Sequence, residues 1–155
     1  RPFARTSSPA RESPETMLRS ALAVVAGLVA GSIANMALIT LNTSVLFPMP
    51  QGVSPDEPEA FSAYLASLPV AAFVLVLLAH SAQAGVGGAV AARIAAARPQ
   101  VLALIVGGLT ALGSVIMLTT VDGPAWMALD PLLNLVCAYG AARWMVGRTP
   151  SGSAP

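Results

Sequence analysis

The sequence predicts an all-α membrane protein: a four-transmembrane-helix bundle with a short interfacial helix between spans one and two, and both termini on one side. Three observations carry this prediction. Of the 155 residues, 55% are hydrophobic and only 10% charged, against about 25% charged in an ordinary soluble domain. Four stretches reach the ~20 apolar residues needed to cross a hydrocarbon core, at residues 20–41, 69–92, 101–121 and 125–146. The basic residues fall only before span one, between spans two and three, and at the end of span four.

The charges also exclude whole classes of function. All eight basic residues are Arg, and with seven acids the net charge is +1. No basic face is available to neutralise phosphates, so no nucleic acid is expected as a partner. A single cysteine, Cys137, excludes an internal disulfide framework and a cysteine-rich metal site.

Residues 1–16 form a polar N-terminal extension rich in Arg, Ser and Pro. The first residue is Arg, which reads as a processed or truncated start, with Met17 a natural start for the core alone. The composition fits either an organellar transit-peptide remnant or a disordered tail, Glu12 and Glu15 weakening the former. The membrane domain is expected to cover residues 17–148, as one compact unit.

Span one is interrupted only by Ser32, Asn35 and Thr40. The run Leu46-Phe-Pro-Met-Pro-Gln-Gly52 follows as a loop, since prolines and glycine break regular structure. After Pro58, the apolar residues Phe61, Tyr64, Leu65 and Leu68 share one helix face. They predict a short helix lying on the membrane surface with its aromatic face towards lipid. The alternative is an extension of span two beyond a kink at Pro69. Span two contains His80, Ser81 and Gln83 as polar interruptions, and span three contains hydroxyls but no charge. Span four holds Asp130 near its start and Arg143 near its end. Residues 149–155 form a polar tail.

The arginines orient this array. The loops without arginine hold Asp56, Glu57, Glu59 and Asp122. The positive-inside rule then places both termini on the cytoplasmic, stromal or matrix side. Trp126 at one end of span four, with Tyr139 and Trp144 towards the other, are expected interface anchors. Small residues should bring the helices together, with Gly27 and Gly31 in span one, Gly85 and Gly88 in span two and Gly107 in span three.

Polar residues within the spans are the candidate site. Counting ~1.5 Å per residue, His80 lies about 16 Å inward from Pro69, and Asp130 and Asn134 about 6 and 12 Å inward from Trp126. Asn35, His80, Asp130 and Asn134 are therefore expected to form one polar intramembrane cluster. Three readings stay open for His80: hydrogen bonding between helices, axial ligation of haem or chlorophyll, or proton transfer in transport. Asp130, preceding Pro131, also suits a helix cap. No metal site is expected. Neither a phosphate loop, a paired-His metal helix nor a nucleophile elbow occurs, so no catalytic residues are named. Cys137 reads as a packing residue.

The segments Leu46-Phe-Pro-Met-Pro-Gln-Gly-Val53, Ala63-Tyr-Leu-Ala-Ser-Leu-Pro69, Leu78-Ala-His80 and Gly88-Ala-Val-Ala-Ala-Arg93 resemble small four-span bacterial membrane proteins of uncharacterised type. The resemblance covers roughly Met17 to Arg148. It implies the four-helix architecture and no activity, and the extra N-terminal segment would fit an organellar relative. The expected function is a non-enzymatic accessory subunit of a larger membrane complex, photosynthetic or respiratory. It would sit in a bacterial inner membrane, a thylakoid or a mitochondrial inner membrane. Its expected partners are the lipid bilayer and other membrane-protein subunits, with bound lipid. A small oligomeric transporter or channel, and a pigment- or haem-binding subunit using His80, are the alternatives.

Overall fold

The computed structural model describes residues 13–148. Most of the expected extension 1–16 and all of the tail 149–155 lie outside the described residues. Helix α1 is Pro14–Leu41, α2 Pro58–Ser67, α3 Val70–Ile94, α4 Pro99–Thr120 and α5 Asp130–Gly147. A π-helical stretch Asn42–Leu46 prolongs α1, and a 3-10 helix Ala125–Leu129 precedes α5. No strand occurs among the described residues. The runs Pro14–Leu46, Val70–Ile94, Pro99–Thr120 and Ala125–Gly147 are long and apolar enough to cross a membrane. The chain is accordingly an integral membrane protein.

The element boundaries have local causes. α1 begins at Pro14, six residues ahead of the apolar run, because Ser13 caps it by accepting from the Thr16 N–H at 3.3 Å. Pro14 in the first turn and Glu15 beside it complete a favourable helix start. At 28 residues α1 is roughly 42 Å long, exceeding the ~30 Å hydrocarbon thickness. Helix α2 is separate from α3, because Leu68 and Pro69 are both extended, with ψ of 140° and 157°. Span four starts as a 3-10 helix because Pro131 carries no N–H to bond the Met127 carbonyl one α-helical turn earlier. Arg98, before Pro99, turns the chain from α3 into α4 with a left-handed φ of 49°.

Contacts fix the topology. Gly27 meets Gly87 and Gly31 meets Gln83, so α1 and α3 run antiparallel. His80 meets Asp130 and Gly88 meets Ala138, so α3 and α5 run parallel. Gly107 packs on Ala138 and Ser114 bonds Asn134, so α4 and α5 run antiparallel. The four long helices thus alternate in direction. Helices α3, α4 and α5 pack mutually, while α1 lies mainly against α3 and only brushes α4.

This alternation gathers Arg19, Arg93, Arg98, Arg143 and Arg148 at one end of the bundle and Asp56, Glu57, Glu59 and Asp122 at the other. At the arginine end, Arg19 Nε donates to the Ile94 carbonyl at 2.8 Å, tying α1 to the end of α3. Arg148 lies over the Trp144 ring at 3.7 Å and Arg143 over Tyr139 at 5.9 Å, each a cation–π contact.

Small residues bring the backbones together here. A methyl group on Gly27 would lie 2.6 Å from the Gly87 carbonyl oxygen, and one on Gly107 would lie 2.6 Å from the Ala138 Cβ. Gly31 abuts the Gln83 carbonyl, and Gly88 would meet the Ala138 backbone at 2.9 Å. Gly85 differs from the expectation. A methyl there would reach only the Cys137 Cβ at 3.9 Å, an ordinary contact, and the close approach to α1 belongs to Gly87. Around these contacts Ala23, Ala91, Ala103, Ala138 and Ala142 are fully buried. On the opposite face of α1, Leu22, Val25, Val29, Ile33 and Met36 are 55–66% exposed, a strip suited to lipid tails.

Candidate functional site

His80 is the protein's one histidine and lies midway along α3. Its Nδ1 contacts Asp130 Oδ2, so Nδ1–H donates to the carboxylate. Asp130 is the first residue of α5 and only 1% exposed. Its side chain makes no cap hydrogen bond, because it is turned across the bundle to the imidazole. Ser114 on α4 places its Oγ 3.4 Å from the same Nδ1. Asn134, one turn along α5 from Asp130 and fully buried, donates its amide N–H to Ser114 Oγ at 2.9 Å. Three helices thus meet in a polar chain from Asp130 through His80 and Ser114 to Asn134.

Of the four residues expected to cluster, the structure joins three, with Ser114 as a link the sequence reading left out. Asn35 is not bonded to them. It faces the cavity that His80 also lines. The α1–α3 register, with Gly31 against Gln83, sets Asn35 level with Ala79 and His80. Asn35 makes no side-chain hydrogen bond among the described residues, and the same holds for His80 Nε2.

The cavity, partly open to its surroundings, has a volume of about 430 Å³. Asn35 and His80 form its floor, Ile39, Phe73, Val76 and Leu118 are among its walls, and α2 is its roof. The apolar face of α2, with Phe61, Tyr64, Leu65 and Leu68, therefore lines the cavity. This is the face that the periodicity sets towards the membrane interior. Two hydrogen bonds hold the roof. Tyr64 Oη donates to the Phe47 carbonyl at 2.8 Å, and Ser62 Oγ donates to Asp122 Oδ2 at 3.1 Å. Burial raises the Tyr64 pKa, which keeps the phenol a donor.

A second residue absent from the sequence reading is Asn42, in the π-helical stretch and 3% exposed. Its Nδ2 donates to the Ala72 carbonyl at 3.1 Å, leaving Oδ1 buried without a partner at the cavity's edge. The Oδ1 atoms of Asp130 and Asn134 are likewise buried and unpartnered among the described residues. Buried acceptors in that state are uncommon and costly. From this polar level towards the arginine end, Ala84, Gly88, Val106, Gly107 and Ala138 are buried and apolar. They close the interior in this conformation.

No group of three or more His, Cys, Asp or Glu residues is arranged to hold a metal among the described residues. An oriented imidazole with a free nitrogen, beside a free carboxamide, can hydrogen-bond a polar group or offer a single ligand to one. Comparison of the chain with protein-family models, with curated proteins and with solved structures finds no match.

Proposed function

We propose that this chain is a membrane-embedded binding protein that holds a hydrophobic small molecule in the cavity beneath α2. One observation carries the reading: His80 and Asn35 line one apolar cavity at the same depth, and neither His80 Nε2 nor the Asn35 amide has a hydrogen-bond partner among the described residues. Ligand sites are typically concave, mostly apolar and supplied with a few placed polar groups, with volumes of about 300–1,000 Å³. The cavity has that character. The Asp130 carboxylate engages Nδ1 and so leaves Nε2 as the free ring nitrogen for a ligand.

In this reading the arginine end faces the cytoplasm, matrix or stroma, as the positive-inside bias directs. Helix α2 then roofs the site at the opposite membrane surface. A hydrophobic ligand held by a chain of this size suits an accessory subunit of a larger membrane complex, bioenergetic in character. Migration with larger partners on native gels after mild solubilisation would support that placement, and migration as a small free oligomer would contradict it.

The binding reading is tested by organic extraction of the purified protein followed by mass spectrometry. The wild type should retain a specific hydrophobic molecule in near-stoichiometric amount, and Val76→Trp, which fills the cavity, should not. Equal background from both proteins would overturn it. The carboxylate behind His80 also favours a second reading, axial ligation of a tetrapyrrole through Nε2. A Soret or chlorophyll band in the wild type, lost in His80→Phe, would establish that reading, and a featureless visible spectrum would reject it.

A further inference from the structure

We infer that the ligand is an uncharged, flat-ringed molecule with ring oxygens, the chemical class of lipid-soluble quinones and quinols. The inference rests on the cavity being a binding site and names what fits it. Charge comes first. No arginine lines the cavity, and all five described arginines lie at the other end of the bundle. Asp122 stands at the cavity's acidic end, and Asp130 lies behind His80. An anionic ligand would bring a further negative charge into a low-dielectric site without a cation to meet it. Fatty acids and haem, with its propionates, are disfavoured on that ground. A neutral ligand carries no such cost.

Ring shape comes second. Only 5% of the residues are aromatic, yet Phe61, Tyr64 and Phe73 all line this cavity. Met49, Met117 and Met127, half of the six methionines, line it too. Aromatic rings and polarisable thioethers favour contact with a flat π-system. The oxygen requirement comes from the floor. His80 and Asn35 line the cavity at the same depth, and together Nε2, an acceptor, and the amide, a donor and acceptor, offer both capacities to one polar group. A ring carbonyl accepts from the Asn35 amide, and a ring hydroxyl donates to His80 Nε2. At the far end, Asn42 Oδ1 is a buried acceptor without a partner, about 12 Å along α3 from His80 by helix rise. A bridging water, donating both to that atom and to the ligand's second ring oxygen, would satisfy it.

The test is equilibrium binding to the full chain in lipid nanodiscs, corrected against empty nanodiscs. The probes are decylubiquinone and an analogue with the same ring and tail but both carbonyls replaced by hydrogen. Saturable binding of the quinone is expected, weakened about tenfold or more in Asn35→Leu, the loss of one hydrogen bond worth about 1.4 kcal/mol, and the reduced form, decylubiquinol, should lose a comparable factor in His80→Phe. The analogue should bind the wild type with a comparable loss. His80→Phe strands the Asp130 carboxylate, so Asn35→Leu, which leaves that pair intact, decides the matter if the first variant does not fold. Equal affinity for quinone and analogue, or unchanged quinone binding in Asn35→Leu, would overturn the quinone assignment and leave the cavity reading standing. Binding of neither probe, together with no retained molecule in the extraction experiment, would overturn both.

Discussion

The two halves of this bundle are built from the same four helices and differ in what fills the space between them. Towards the arginine end, Ala91, Ala92, Ala103 and Ala142 are buried and the backbones touch through Gly27, Gly87, Gly88 and Gly107. Towards the acidic end the facing residues are Ile39, Phe73, Val76 and Leu118, and the helices enclose a cavity beneath α2. The chain Asp130–His80–Ser114–Asn134 lies at the boundary between the halves. Small residues let helices close in a lipid environment, where apolar burial alone supplies no drive. Larger side chains hold helices apart, and a site can form where they do. The closed half supplies rigidity, and the open half can be occupied.

Breaking the boundary should have the largest effect. His80→Phe strands the buried Asp130 carboxylate, and leaving a buried charge without its partner costs about 3–5 kcal/mol. Unfolding followed in mixed detergent micelles should show that loss, and a change of less than about 1 kcal/mol would mean that the pair is exchanged for water. An intermediate effect is expected in the closed half. Gly87→Leu drives a side chain into the Gly27 carbonyl, with an overpacking cost of about 1–3 kcal/mol. The loss should appear as separation of α1 from α3, read by a distance probe between Ser32 and Gln83. The smallest effect belongs to the roof. Tyr64→Phe removes the hydrogen bond to Phe47, worth about 0.5–1.5 kcal/mol. Stability should change by no more than that, while exchange of a bound ligand becomes faster. Unaltered exchange would show that α2 does not gate the cavity.

These contrasts were legible in the sequence to different degrees. The four long helices could be read from uninterrupted apolar runs, because few other structures need so many apolar residues in a row. The sorting of charge to the two ends followed from the positions of the arginines. Packing was legible only in part. Gly87 and Gly88 are adjacent but point to different neighbours, one to α1 and the other to α5. A four-residue stripe does not say which ridge faces which helix, and so it points to Gly85 where Gly87 makes the contact. His80, Asp130 and Asn134 stand out because polar groups in apolar spans are costly. Ser114 does not, since hydroxyls in such helices routinely bond their own backbone, as Thr110 does to the Val106 carbonyl. The cavity was not legible at all. Periodicity gives the face of a helix and not the distance to the helix opposite, so the apolar side of α2 was readable but the cavity it lines was not.

Because the chain has one histidine, the imidazole can be observed alone. Selective 15N-histidine labelling, with NMR of the protein in nanodiscs before and after addition of decylubiquinol, tests the central claim that Asp130 holds His80 and leaves Nε2 to accept from a ligand. The expected result is an Nδ1 resonance with a proton shared to a carboxylate and little altered by the quinol, and an Nε2 resonance that shifts on binding. A rapidly exchanging, water-exposed imidazole, or two ring nitrogens that ignore the quinol at saturation, would contradict it.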